Sequence, residues 1–203
     1  MKPYYQDDAV TIYHGDCREI VPQLGRFDLL LTDPPYGLGN RMNGGTWGGA
    51  EKYDKMREWD THAPDLSFLL ALDYQSIIWG GNYFAIPPSR CWLSWSKINV
   101  VPTMASMELA WTNFDIPAKE WKGNVGNHDH GHPTQKPLAL MKWCIGLAGD
   151  VQTILDPFAG SGTTGRAAKD LNKTAVLIEI EEKYCEIAAQ RMCQEVLELR
   201  KKT

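Results

Sequence analysis

The feature that most constrains the fold is the alternation of short apolar segments with segments of helical periodicity. The apolar segments are rich in β-branched and aromatic residues, and they predict strands at 9–15, 27–33, 75–81, 91–97, 107–114, 152–158 and 174–180. Helical patterns cover 17–24, 64–73, 138–149, 161–171 and 181–201. Such an alternation predicts an α/β fold, in which a mostly parallel sheet of seven strands carries helices on both faces.

One pair of predicted strands departs from the parallel pattern. Nine residues separate the strand at 91–97 from the strand at 107–114. A parallel connection needs a crossover of a dozen or more residues, so we predict that one strand of this pair runs antiparallel to the sheet. The segment FDLLLTD, at 27–33, is apolar almost throughout, which predicts a strand that is buried on both faces.

The bulk composition is that of an ordinary globular domain. The 203 residues are 43% hydrophobic and 23% charged, which predicts a single domain over 1–203 with loop insertions at 37–63 and 115–131. No apolar run approaches the roughly 18 residues that span a bilayer, and no signal peptide is evident. Five cysteines without a Cys-x-x-Cys pair disfavour a disulfide framework and predict a reducing cytoplasm. A net charge of −4 argues against retention on nucleic acid by bulk charge alone.

A glycine-rich turn, LDPFAGSGTTG at 155–165, follows one predicted strand and opens a predicted helix. Gly160 and Gly162 allow a sharp backbone turn, and a helix N-terminus offers free N–H groups. Asp156 ends the strand, and Glu179 ends the next strand at about the spacing where a carboxylate grips a ribose diol. The turn lacks both the third glycine of the dinucleotide pattern and the Gly-Lys-Ser/Thr of a phosphate loop. We therefore predict an adenosyl ligand without a diphosphate.

Three blocks in one order give the chain a specific resemblance. DPPY at 33–36, HPTQKP at 132–137 and the glycine-rich turn at 155–165 together resemble the β group of the DNA amino-methyltransferases, which use S-adenosylmethionine. The resemblance covers nearly the whole chain. It implies a circularly permuted Rossmann-like methyltransferase fold, S-adenosyl-L-methionine as the cofactor and double-stranded DNA as the partner. It also implies that the chain can pair as a homodimer, in a restriction-modification or phage setting.

The chemistry of amine methylation explains the residue types in the DPPY block. An exocyclic amine of adenine or cytosine is a poor nucleophile, because its lone pair is shared with the ring. Asp33 offers a side-chain oxygen and Pro34 a backbone carbonyl, and these two acceptors localise the lone pair toward a methyl donor. Pro35 helps to hold the acceptors at a fixed angle, and Tyr36 offers a flat ring on which an extruded base can stack.

The resemblance also assigns residues to the cofactor. It implies that Asp16, at the end of the first strand, reaches the adenine of the cofactor, and that Thr134 and Lys136 contact its methionine end. The remaining implied contacts come from the glycine-rich turn and the strand after it: Asp156, Phe158, Gly160, Gly162 and Glu179. In the loop at 37–63, basic residues alternate with aromatic ones, which predicts contacts to DNA through Arg41, Lys52, Lys55 and Arg57.

Several alternatives remain open at this point. Methylation of adenine N6 is the leading prediction, and methylation of cytosine N4, which more often accompanies Ser in place of Asp33, is its nearest rival. Families that methylate a glutamine side-chain amide or an RNA base usually have Asn at that position. A further alternative is a catalytically inactive relative that only binds nucleic acid or a partner subunit. The HDHGH segment at 128–132 is rich in histidine, but its alternating spacing is poor for chelation, so no metal site is predicted.

Overall fold

One mixed sheet forms the centre of the molecule. The computed structural model describes residues 1–38, 60, 62–98, 100, 105–124 and 135–194. Within these ranges the sheet has nine strands, which lie in the order β1-β2-β9-β8-β3-β4-β6-β5-β7. In chain order they are β1 (Tyr5–Gln6), β2 (Val10–His14), β3 (Leu29–Thr32), β4 (Gln75–Trp79), β5 (Trp92–Ile98), β6 (Met107–Thr112), β7 (Lys119–Asn124), β8 (Thr153–Asp156) and β9 (Thr174–Glu179).

The central strands are parallel, as the alternating pattern predicts. β2, β9, β8, β3 and β4 all run in one direction. β6 is antiparallel to both β4 and β5, so the prediction for the pair at 91–97 and 107–114 is confirmed. The two-residue strand β1 is a second antiparallel element, which the sequence did not predict.

The predicted number of seven strands is wrong, because the described part of the chain contains nine. β1 is too short to carry a periodic signal. β7 lies inside the segment 115–131, which was predicted to be a loop, and pairs in parallel with β5 at the edge of the sheet. Its sequence, KEWKGN, is polar, and most of its residues are exposed. An edge strand of this kind has few apolar neighbours, so the apolar pattern that reveals buried strands is missing.

Five α-helices cover the described sheet, and they are shorter than predicted. They are α1 (Cys17–Ile20), α2 (Ser67–Leu70), α3 (Leu138–Leu147), α4 (Thr163–Asp170) and α5 (Glu182–Cys193). A 3₁₀ turn, Val21–Gln23, continues α1, because Pro22 has no N–H to donate to an α-helical bond. The helix predicted at 64–73 is reduced to α2. Of the helix predicted at 181–201, residues 195–201 lie outside the described ranges.

Side chains on both faces of the sheet are buried. Leu29 and Leu31 of β3 belong to one hydrophobic cluster, and Leu30 belongs to the cluster on the opposite face. All four residues of β3 are buried, which confirms the prediction of a strand covered on both sides. Parallel pairing with β4 and β8 gives β3 its direction, so the residues after Thr32 lie at the carboxyl edge of the sheet. Within the described ranges, no helix is both long enough and apolar enough to cross a membrane.

Candidate active site

The carboxyl ends of the central strands surround one cavity of about 500 Å³. Such an edge of an open α/β sheet is where ligands ordinarily bind. Most of the predicted site residues that the structure describes line this cavity, namely Asp16, Asp33, Pro34, Pro35, Tyr36, Lys136, Asp156, Phe158, Gly160 and Glu179. Gly162 is described but does not line it. Five predicted contacts lie outside the described residues: Thr134, Arg41, Lys52, Lys55 and Arg57.

The glycine-rich turn needs the conformational freedom of glycine at two positions. Gly160 and Gly162 have φ angles of +50° and +76°, in the left-handed region that L side chains rarely adopt. A Cβ atom at Gly162 would lie 2.8 Å from the Cβ of Ala188 on α5. The second glycine therefore also allows the turn to pack closely against the last described helix.

Glu179 is fixed beside this turn by two backbone groups. Its carboxylate accepts hydrogen bonds from the N–H of Gly160, at 2.7 Å, and from the N–H of Glu181, at 2.8 Å. The residue is only 8% exposed, and this burial raises the pKa of its carboxyl group. Each oxygen accepts one backbone bond and retains capacity for another, so Glu179 can still accept hydrogen bonds from hydroxyl groups in the cavity.

Asp156 is occupied by partners within the chain. One carboxylate oxygen accepts from the hydroxyl of Thr32, at 2.8 Å, and the other accepts from the hydroxyl of Thr164, at 2.5 Å. The N–H of Phe158 also donates to it, at 3.1 Å. Burial raises the pKa of Asp156 to about 6, against the effect of these donors. Asp156 lines the cavity, but its bonds join β8 to β3 and to α4, so it braces the site from within.

Two arginines near the cavity have roles that the sequence did not reveal. Arg18 binds the carboxylate of Asp16, and its guanidinium Nε lies 3.0 Å from an Asp16 oxygen at the start of α1. Arg191 of α5 is only 7% exposed and donates to the hydroxyl of Thr163, at 2.9 Å. Burial lowers the pKa of Arg191 to about 10. Arg191 therefore joins α5 to the glycine-rich turn and braces that turn.

The DPPY segment holds a compact hydrogen-bonded group. Tyr36 donates its hydroxyl proton to one oxygen of Asp33, at 2.6 Å. Lys136 donates to the other oxygen of Asp33, at 2.5 Å, and to the hydroxyl oxygen of Tyr36, at 3.1 Å. The resemblance assigned Lys136 to the methionine end of the cofactor. In the structure, its ammonium group contacts the DPPY segment.

Two further charges support this group from the neighbouring strands. Glu108 of β6 lies with a carboxylate oxygen 3.1 Å from the Lys136 ammonium, and Lys97 of β5 forms an ion pair with the same carboxylate. Burial alone would raise the pKa of Glu108, but the two ammonium groups lower it to about 2. Sequence reasoning missed both residues. The available signal was a single charged residue within each of two otherwise uncharged strand segments, CWLSWSK and MELAWTNF.

The ring of Tyr36 lies in an aromatic cluster. It stacks on Tyr83 with 5.0 Å between ring centroids and 18° between planes, and it meets Phe84 edge-on at 6.3 Å. Gly80 lies against the ring, because a Cβ atom at this position would be 2.1 Å from Cε1 of Tyr36. The segment IIWGGNYFA at 77–85 therefore supplies both the space for the Tyr36 ring and its stacking partner.

Comparison with known proteins decides the family. A family model for DNA methylases, N6_N4_Mtase, matches residues 78–190, which is more than half of the chain. The chain belongs to this family. It is therefore an S-adenosylmethionine-dependent DNA methyltransferase, as the three sequence blocks implied.

Individual relatives are similar to this chain over almost its whole length. The type II methyltransferase M2.MboI of Moraxella bovis is 27% identical, over 94% of this chain and 91% of the relative. M2.LlaDCHI of Lactococcus lactis subsp. cremoris is 26% identical, over 94% and 92%.

Solved structures share the fold. M1.HpyAVI in complex with SAM has a TM-score of 0.60 at 22% identity, and covers 90% of this chain and 99% of the other. The PvuII DNA methyltransferase, which is described as cytosine-N4-specific, has a TM-score of 0.64 at 16% identity, and covers 96% and 90%. At these identities the likeness concerns the fold alone. It confirms the Rossmann-like methyltransferase architecture that the order of the blocks implied.

Proposed function

We propose that the chain transfers a methyl group from S-adenosylmethionine to the N6 amine of adenine in double-stranded DNA. The observation that carries this proposal is the placement of Asp33. Its carboxylate lies at the carboxyl end of β3 and lines the same cavity as the glycine-rich turn and Glu179. An acceptor for an amine and a candidate cofactor site thus share one enclosed volume.

The residues of the cavity suit S-adenosylmethionine. The volume, about 500 Å³, is within the range of cofactor sites. Glu179 would hold the ribose hydroxyls, the turn at Gly160 would admit the cofactor close to the backbone, and Phe158 and Asp16 would flank the adenine. When bound, S-adenosylmethionine supplies an electrophilic methyl group. The glycine-rich turn lacks the Gly-Lys-Ser/Thr of a phosphate loop, so its sequence does not point to a diphosphate.

The catalytic segment would act by orientation. The amine of an extruded base would donate one proton to Asp33 and the other to the backbone carbonyl of Pro34, which localises the nitrogen lone pair. Pro34 and Pro35 restrict the backbone, so the two acceptors need no reorganisation during the reaction. Tyr36 would support the base, and its stacked partner Tyr83 extends the aromatic surface.

The identity of the methylated base is the point to test. An acidic residue at position 33 supports adenine, since the resemblance associates cytosine N4 more often with serine there. We would incubate the chain with S-adenosylmethionine and unmethylated double-stranded DNA, and analyse the nucleosides by mass spectrometry. N6-methyladenine is the expected product. N4-methylcytosine, or no methylated nucleoside at all, would refute the proposal.

Replacement of Glu179 by alanine is expected to weaken cofactor binding. Charge-assisted hydrogen bonds contribute about 1.5–3 kcal/mol, so the affinity for S-adenosylhomocysteine should fall roughly ten- to hundredfold. Titration calorimetry measures this change directly. Glu186→Ala, which removes an exposed carboxylate of α5 outside the cavity, serves as the matched control and should bind normally. Unchanged affinity in Glu179→Ala would remove Glu179 from the cofactor site.

The proposal extends to the organisation of the chain. We take residues 1–203 as one methyltransferase domain, which the continuity of the nine-stranded sheet supports. Residues Arg41, Lys52, Lys55 and Arg57 remain the proposed DNA contacts. All five cysteines are free, which supports a location in a reducing cytoplasm.

A homodimer is the proposed assembly. The described surface exposes Ile98 and Met107, both 48% exposed, at the ends of β5 and β6 that adjoin each other in the sheet. A second copy could cover this apolar surface and would double the area available to DNA. We expect light scattering at micromolar concentration, with cofactor present, to give twice the 22.9 kDa mass of the chain. A mass equal to one chain under these conditions would contradict the dimer.

A further inference from the structure

Lys136 is a buried cation beside the DPPY segment. It is 6% exposed, and three oxygens of the chain surround its ammonium group. Asp33 Oδ2 lies at 2.5 Å, Tyr36 Oη at 3.1 Å and Glu108 Oε2 at 3.1 Å. The ammonium also lies 5.5 Å from the centroid of the Tyr36 ring and 5.7 Å from that of Trp79. Two of the three lysine donors are used by Asp33 and Tyr36, and Glu108 adds an ion-pair contact.

The groups around Asp33 act on its pKa in opposite directions. Burial and the nearby carboxylate of Glu108 raise the pKa of Asp33, whereas the ammonium of Lys136 and the Tyr36 hydroxyl act in the opposite direction. Asp156, on the adjacent strand β8, adds a further carboxyl group on this side of the sheet. The neighbouring ammonium group of Lys97 forms its ion pair with Glu108. Among the described residues, Lys136 is therefore the cation that pairs directly with Asp33.

The protonation state of Asp33 matters for its proposed role. An ionised carboxylate only accepts hydrogen bonds, whereas a protonated carboxyl group carries a donor of its own. A protonated Asp33 would offer a proton where the target amine also presents protons. The lone pair of the amine would then not be directed toward the methyl group.

We propose that Lys136 is a positioning residue, which holds Asp33 ionised and in a single orientation for the incoming amine. Glu108 and Lys97 hold Lys136 in turn, so the β5–β6 pair supports the catalytic segment through a chain of alternating charges. This inference rests on the role that the proposed function gives to Asp33. It gives Lys136 a task distinct from the cofactor contact implied by the family resemblance.

The test is the pH dependence of methyl transfer in Lys136→Met. Without the ammonium group, only the Tyr36 hydroxyl opposes the effects of burial and Glu108 on Asp33, so the pKa of Asp33 rises further and activity is lost at lower pH. Single-turnover rates are measured from about pH 6 to about pH 9, where ionisable catalytic groups report their state. Below the raised pKa, each pH unit should lower the rate about tenfold relative to the wild type, and the deficit should shrink as pH rises. Lys136→Arg, which retains the charge, should keep most of the wild-type profile.

Controls separate this role from a structural one. Lys142→Met removes an ion-paired lysine outside the cavity, 2.5 Å from Asp170, and should leave the profile unchanged. The double variant Lys136→Met, Glu108→Gln tests whether Lys136 merely neutralises Glu108. The double variant also serves if the single variant fails to fold, because it removes the buried carboxylate that Lys136→Met leaves with one ammonium partner instead of two. We expect it to bind S-adenosylhomocysteine normally but to remain impaired at low pH.

Three results would overturn the inference. They are a rate deficit in Lys136→Met that is equal at every pH, recovery of full activity in the double variant, or a large loss of S-adenosylhomocysteine affinity in Lys136→Met. The last result would place the lysine on the cofactor. The nucleoside analysis is made on the same samples. A wild-type protein that produces N4-methylcytosine refutes the proposed base while the pH comparison still decides the role of Lys136.

Discussion

Replacement of Asp33 by alanine is expected to abolish methyl transfer while leaving cofactor binding nearly intact. The carboxylate is the proposed acceptor for the target amine, and loss of one preorganised group of this kind typically costs at least about a hundredfold in rate. The glycine-rich turn and Glu179 are unchanged by the substitution. Lys136 also keeps a carboxylate partner in Glu108, so the fold should survive. Single-turnover rates and calorimetry with S-adenosylhomocysteine measure the two properties separately.

The same strand offers a matched control. Asp28 stands at the amino side of β3, where its carboxylate accepts from the backbone N–H groups of Gln152 and Thr153, each at 2.9 Å. Asp28→Ala removes the same type of side chain at the far end of the sheet, so it should lower stability without changing the rate constant for methyl transfer. Normal turnover in Asp33→Ala would refute the proposed mechanism. A large loss of cofactor affinity there would instead assign Asp33 to the cofactor.

Replacement of Gly162 by alanine is expected to destabilise the fold and to weaken cofactor binding. The backbone has a φ of +76°, which costs a non-glycine residue about 1–3 kcal/mol. The new Cβ would also lie 2.8 Å from the Cβ of Ala188, and relief of that overlap adds about 1–3 kcal/mol. The turn and α5 would have to separate, which moves Gly160 and the backbone that flanks Glu179.

A substitution at Gly149 distinguishes the cost of backbone strain from the cost of steric overlap. Its φ is +79°, yet no atom lies within 4 Å of the position where its Cβ would be. Gly149→Ala therefore carries the backbone strain without the overlap. Urea unfolding of the two variants should show the larger loss of free energy in Gly162→Ala, and only that variant should lose affinity for S-adenosylhomocysteine. Equal losses of stability in the two variants would mean that packing against α5 does not explain the glycine.

The sequence by itself determined the parts of the site whose signals are local. The apolar run LLLT predicted a strand buried on both faces, and the residues that follow it stand at the carboxyl edge of the sheet. The glycines of the second turn predicted a sharp bend, and both have positive φ angles. Three blocks in one order implied the family. The strand, the turn and each separate block are contained within about ten residues, where periodicity and backbone restriction act directly.

The tertiary structure decided which distant groups meet. Lys136 and Asp33 are 103 residues apart in sequence, and Thr32 and Asp156 are 124 apart, yet each pair is joined by a hydrogen bond. These contacts depend on the order of strands in the sheet, which places β8 and β4 on either side of β3 and β6 beside β4. Edge strand β7 was missed because its exposed polar residues carry no apolar alternation. A local sequence pattern indicates how deeply a segment is buried. The partners of a buried charge lie on elements that are distant in sequence, so only the tertiary structure identifies them.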